Sequence, residues 1–134
     1  MLSNEIRNAL KQAITELRIA EFELNRPNED VVTLSVCYSA RQSTNTMLRL
    51  FLLAKDINHN EGKSLKELLS QCVKIDKEFS DVDITNVTCN ELNHDECDGK
   101  YCLTIDKVNE CVSVANKFKT LVLGKLKINE SEMF

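Results

Sequence analysis

The chain has 134 residues, with 17 Lys and Arg against 21 Asp and Glu, six Cys, three Gly, one Pro and no Trp. This length suits one domain, residues 1–134, and allows a core without metal or disulfide staples. So little glycine and proline argues against an all-β sandwich and against a disordered linker. A formal charge of −4 argues against a general nucleic-acid binder, which normally carries a basic excess.

The N-terminal residues contain no apolar stretch, so the sequence predicts no signal peptide. The longest strongly apolar window, Met47 to Ala54, is short and contains Arg49, so we expect no contact with a membrane. These observations predict a cytoplasmic protein whose six cysteines are free thiols rather than a disulfide framework.

The first predicted helix covers about Ser3 to Asn25, because apolar residues recur there at steps of three and four. Ser3 or Asn4 is a plausible N-cap. The helix should end at Arg26, since Pro27 disfavours helical backbone in the residue before it.

The second predicted helix, about Asn28 to Ile57, is apolar on two sides. One side holds Val36, Ala40, Ser43, Met47, Leu50, Ala54 and Ile57. The nearly opposite side holds Leu34, Tyr38, Leu48 and Leu52. A helix that is apolar on two sides is buried on two sides. We expect the first side to face the core and the second to face another helix or a partner subunit, which makes the second set the candidate dimer interface.

A polar stripe interrupts that second side. Arg41, Asn45 and Arg49 lie four residues apart and therefore stack along one edge of the helix. Guanidinium groups bind phosphate bidentately, so the stripe is a candidate phosphate site. The alternative is a network of hydrogen bonds between helices, with acidic partners such as those in the first helix.

A capping box, Ser64-Leu65-Lys66-Glu67, opens the third predicted helix. Residues 76–92 fit one or two short helices or an irregular packed segment. Thr104 caps the last predicted helix, and residues 127–134 should form a frayed tail. Four main helices with one short extra helix and short connections predict an all-α, antiparallel up-and-down bundle.

Metal and catalytic signals are weak. Cys89, His94, Cys97 and Cys102 lie in one polar stretch, but their spacing is irregular and no Cys-x-x-Cys pair occurs. We therefore predict no metal and no cofactor. No cysteine is marked as an activated nucleophile, and His94 is at most a weak candidate for a catalytic base.

Several segments resemble the HEPN family of small helical domains over about residues 32–118. They are Tyr38-Ser39-Ala40-Arg41-Gln42, the apolar run Met47 to Ala54, Ser64-Leu65-Lys66-Glu67-Leu68-Leu69, and the last helix from Thr104 through Ala115. The resemblance implies an antiparallel bundle of four or five helices, usually a homodimer. Family members often pair with a small nucleotidyltransferase, as toxin-antitoxin or nucleotide-binding modules of bacteria and archaea.

Many HEPN domains are ribonucleases that use an Arg-x4–6-His motif, in which His moves protons and Arg stabilises the phosphate. None of the five arginines here has a histidine at that distance. The nearest match, Cys89 to His94, has cysteine in place of arginine. The resemblance therefore implies a non-catalytic module that binds a nucleotide, RNA or a partner protein, in a groove lined by Arg41, Gln42, Asn45 and Arg49. The alternatives are a metal-independent ribonuclease with His94 as base, and a purely structural interaction subunit.

Overall fold

The computed structural model describes residues 3–27, 33–57, 65–84 and 105–134. Its helices are α1 (Asn4–Leu24), α2 (Thr33–Ala54), α3 (Leu65–Ile75), a 3₁₀ helix (Lys77–Asp81), α4 (Ile105–Leu126) and α5 (Glu130–Met133). These described ranges contain no strand, which confirms the all-α class. None of the helices in them is long and apolar enough to cross a membrane.

Helix α1 begins and ends where its sequence predicts. The Ser3 hydroxyl accepts a hydrogen bond from the backbone N–H of Ile6, 3.2 Å away, and so caps the first turn. Leu10, Ile14 and Leu17 are buried on one stripe. The Ser43 hydroxyl of α2 donates to the backbone carbonyl of Ala13 at 2.7 Å, which ties the middles of α1 and α2 together.

Helix α2 is the centre of the fold and packs against α1, α3 and α4. Most of its first apolar side is buried, as predicted, and its second side is buried at Leu48 and Leu52, within one chain. Leu48 and Leu52 are fully buried, so the interpretation of these two residues as a dimer interface is wrong. The physical reason is that α3 covers this part of α2, with the Cys72 thiol 3.9 Å from the Leu48 carbonyl oxygen. Tyr38 is 42% exposed, and the side chain of Leu34 lies outside what the structure describes.

The segment after α3 forms the 3₁₀ helix Lys77–Asp81. Its Phe79 is fully buried, and the Phe79 ring centroid lies 4.7 Å from that of Phe51 in α2. Residues 85–92 of this predicted segment, and the predicted caps Ser64 and Thr104, lie outside the described residues.

The predicted frayed tail is instead packed onto the protein. Backbone φ of Lys127 is 58°, which turns the chain after α4 and brings Ile128 into the core. Glu130 then forms ion pairs with Arg18 of α1 at 2.8 Å and with Lys119 of α4 at 3.1 Å. The Arg18 guanidinium also lies 3.9 Å from the ring centroid of Phe134, the last residue. The tail is held because one apolar side chain and one carboxylate both find partners on α1 and α4.

Candidate ligand-binding site on helix α2

The polar stripe predicted from the sequence lies at the edge of the buried side of α2. Arg41 is only 8% exposed, and Asn45 and Arg49 are partly buried. Because successive members are four residues apart, their side chains stack along this edge. Arginine is seldom buried to this extent in folded proteins.

The N-terminal part of the stripe is tied to Tyr38. The Gln42 amide nitrogen donates to the Tyr38 hydroxyl at 3.1 Å. The Arg41 guanidinium carbon lies 6.0 Å from the centroid of the Tyr38 ring, at the outer limit of a cation–π contact. These contacts place Arg41, Gln42 and Tyr38 in one local group. Gln42, predicted as a ligand-binding residue, thus already makes a hydrogen bond through its amide nitrogen.

The C-terminal part of the stripe contains polar atoms without partners. Asn45 Oδ1 and Arg49 Nε are buried, and neither makes a hydrogen bond to any residue that the structure describes. Gln71 Oε1 on α3 is in the same condition. Such atoms are rare in folded proteins, because each unsatisfied buried group costs about 1–3 kcal/mol. Two acceptors and one donor on α2 and α3 are therefore buried without hydrogen bonds among the described residues.

The sequence does not predict Gln71 as a site residue. Its neighbour Cys72 contacts the carbonyl of Leu48, and this contact places α3 against the half of α2 that carries Asn45 and Arg49. The sequence feature that could have indicated Gln71 is its position beside the apolar stripe of α3, one residue before the buried Cys72. Periodicity alone does not distinguish such a residue from an ordinary surface glutamine.

The described residues offer little for catalysis or metal binding. Burial raises the pKa of the Cys72 thiol to about 12, so this cysteine is a neutral thiol and a poor nucleophile at neutral pH. Within the four described ranges, no group of three or more His, Cys, Asp or Glu side chains could hold a metal ion. The weak candidates Cys89, His94, Cys97 and Cys102 all lie outside these ranges.

The stripe combines a buried guanidinium group, a buried amide oxygen that makes no hydrogen bond among the described residues, and a nearby aromatic ring. Comparisons of the chain with protein-family models, curated proteins and solved structures find no match. The functional inference therefore depends on the residues of this chain alone.

Proposed function

We propose that the chain is a non-catalytic HEPN-type helical module that binds a nucleotide, free or at the end of an RNA, along the stripe Arg41, Asn45 and Arg49. The observation that carries the proposal is the burial of Asn45 Oδ1 and Arg49 Nε without hydrogen-bond partners in the described ranges of the chain. A network between helices would have satisfied these atoms inside the chain. A bound ligand supplies the hydrogen bonds that the chain itself does not.

The chemistry of the orphaned atoms favours a nucleotide over a bare phosphate. Arg49 Nε is a donor and needs an acceptor, which a phosphate oxygen provides. Asn45 Oδ1 and Gln71 Oε1 are acceptors and need donors. Phosphate at neutral pH carries mostly acceptor oxygens, whereas a nucleotide also carries ribose hydroxyls and, on most bases, an exocyclic amine. A nucleotide can therefore satisfy both kinds of atom at once.

Calorimetric titration tests this proposal with three probes: AMP, adenosine and inorganic phosphate. We expect AMP to bind more tightly than either of its parts. The double variant Arg41→Ala plus Arg49→Ala should abolish AMP binding while the helical circular-dichroism signal stays. Since Arg41 is buried, Arg49→Met serves as a second variant that keeps the length of the side chain without its donors.

A control variant removes the same positive charge elsewhere. Arg26→Ala plus Lys66→Ala changes two exposed residues outside the stripe and should bind AMP like the wild type. Absence of AMP binding at millimolar concentration would refute the proposal, as would equal loss of binding in the control.

The HEPN resemblance also supplies the expected setting of this site. Such a module is an antiparallel up-and-down bundle that forms a homodimer and acts in the cytoplasm beside a nucleotidyltransferase, as in a toxin-antitoxin pair. Among the described side chains of the second side of α2, Tyr38 is exposed and is our candidate for the dimer contact. Size-exclusion chromatography with light scattering measures the molar mass and so distinguishes a dimer from a monomer.

A further inference from the structure

A cleft of about 950 Å³ opens at the end of the molecule where α1 begins and where α2 and α4 end. Its lining comes from three chain segments: the start of α1 without Glu5, Leu53 to Asp56, and Lys125 to Lys127. The cleft shares no residue with the stripe on α2. Its size falls within the range of small-molecule sites, which is about 300–1,000 Å³.

The lining of the cleft is strongly basic, although the whole chain carries a formal charge of −4. Arg7, Lys55, Lys125 and Lys127 line it, and Asp56 is the acidic residue among the lining residues. A local excess of one sign inside a concave surface focuses the electric field and attracts ions of the other sign. The cleft therefore favours anions.

Lys125 is already neutralised by acidic neighbours. Its ammonium group lies 2.9 Å from a Glu78 carboxylate oxygen and 3.0 Å from one of Asp76, and these hydrogen bonds raise the pKa of Lys125. The other three cations differ from it. Arg7, Lys55 and Lys127 form no ion pair with any residue in the described part of the chain. Arg7, Lys55 and Lys127 thus carry the positive charge of the cleft, which Asp56 offsets in part, and the Lys55 ammonium lies 5.7 Å from the Phe51 ring centroid.

Helices α2 and α4 end in the same type of turn, and the two turns carry Asp56 and Lys127 of the cleft. At the end of α2, the Ile57 N–H donates to the Leu52 carbonyl at 2.9 Å, and at the end of α4 the Ile128 N–H donates to the Leu123 carbonyl at 2.9 Å. This is the Schellman pattern, in which the residue before the isoleucine takes a left-handed backbone conformation. Those residues are Asp56, with φ 60°, and Lys127, with φ 58°. Asp56 and Lys127 both line the cleft together with residues from the start of α1.

We propose that this cleft binds the condensed phosphate chain of a small molecule, as found in pyrophosphate or a nucleoside triphosphate, through Arg7, Lys55 and Lys127. Three separate cations match an anion whose charge is spread over several phosphate groups better than they match a single carboxylate. Ile6, Leu53 and Leu126 form an apolar part of the lining, against which the organic part of such a ligand packs.

Titration calorimetry with inorganic pyrophosphate, ATP and adenosine tests this proposal. Pyrophosphate should bind, ATP should bind at least as tightly, and adenosine should not compete with pyrophosphate. The variant Arg7→Gln plus Lys127→Asn removes two cations, and asparagine tolerates the left-handed conformation at position 127. We expect the Kd for pyrophosphate to rise about tenfold or more in this variant.

Two controls distinguish binding in the cleft from a general effect of positive charge and from binding at the stripe. Lys66→Gln plus Lys117→Gln removes the same charge from two exposed residues outside the cleft and should leave the Kd unchanged. Arg49→Met, in the stripe on α2, should also leave pyrophosphate binding intact, so failure of the nucleotide proposal and failure of this one give different results. Absence of pyrophosphate binding at millimolar concentration, or an equal loss in the lysine control, would overturn the proposal.

Discussion

Replacement of Asn45 by leucine should stabilise the free protein while it abolishes nucleotide binding. Asn45 Oδ1 is buried without a partner, and such a group costs about 1–3 kcal/mol. Leucine has the same branching at Cγ and no polar atoms, so Asn45→Leu removes this cost and adds apolar contacts. We therefore expect the free energy of unfolding to rise by about 1–3 kcal/mol. For a chain of 134 residues this corresponds to a rise in Tm of about 4 °C per kcal/mol.

Urea denaturation and calorimetric Tm measure this effect. The midpoint should move to higher urea concentration at an unchanged slope, which shows a change in stability rather than in the compactness of either state. AMP binding should be lost in the same variant. Stabilisation with loss of binding is the result expected when a polar group is kept for a ligand rather than for the fold.

Asn116→Leu is the matched control. The Asn116 amide nitrogen donates to a Glu21 carboxylate oxygen at 3.3 Å and to the Val112 carbonyl at 3.2 Å, so this asparagine is satisfied inside the chain. Its replacement should lower the free energy of unfolding by about 1 kcal/mol. If Asn45→Leu destabilises the protein as much as Asn116→Leu does, the description of Asn45 as an orphaned group is wrong.

Two further predictions concern the tail and the core. Hydrogen bonds from Arg18 and then Lys119 lower the pKa of Glu130, so its stabilising contribution is complete above the unfolded pKa and is lost as the pH falls through the lower folded value. Glu130→Gln should therefore lower the free energy of unfolding by at most about 1 kcal/mol at neutral pH and leave it unchanged at low pH. Urea denaturation at both pH values measures this effect. An equal loss of stability at the two pH values would contradict the prediction. The Cys72 thiol, with a pKa of about 12, should resist iodoacetamide in the native protein at pH 8 and react in urea. Mass spectrometry of the peptide that contains Cys72 follows the labelling. Labelling of the native protein as fast as in urea would contradict the burial of this thiol.

The helices can be predicted from the sequence because apolar spacing reports the burial of a face directly. This succeeds for α1, for most of the first side of α2, and for Leu48 and Leu52 of the second side. The spacing does not indicate which element covers a face. From the sequence, Leu48 and Leu52 could therefore contact another helix or a partner subunit, whereas in the structure α3 of the same chain lies against this part of α2. Local periodicity contains no information on such packing between distant segments.

The C-terminal tail and the candidate site also depend on contacts that local periodicity does not predict. Ile128 is a single apolar residue in a polar segment, and the turn that buries it needs a left-handed lysine, which no sequence rule anticipates. The stripe Arg41, Asn45 and Arg49 is visible in the sequence because its members share one helix. Gln71 and the basic cleft are not visible there, because they arise where segments far apart in sequence meet.

The most direct test of the proposed function is the nuclear magnetic resonance signal of the Arg49 Nε–H group during titration with AMP. The chain has five arginines, so these signals can be resolved, and Arg49→Lys identifies the one of interest. A ligand that accepts from Arg49 Nε should shift this signal strongly. The signal of Arg26, which lies just after α1 and pairs with Glu23 at 3.1 Å, should stay in place. An Arg49 signal that does not move at millimolar AMP, or that moves no more than that of Arg26, would contradict a nucleotide site on α2.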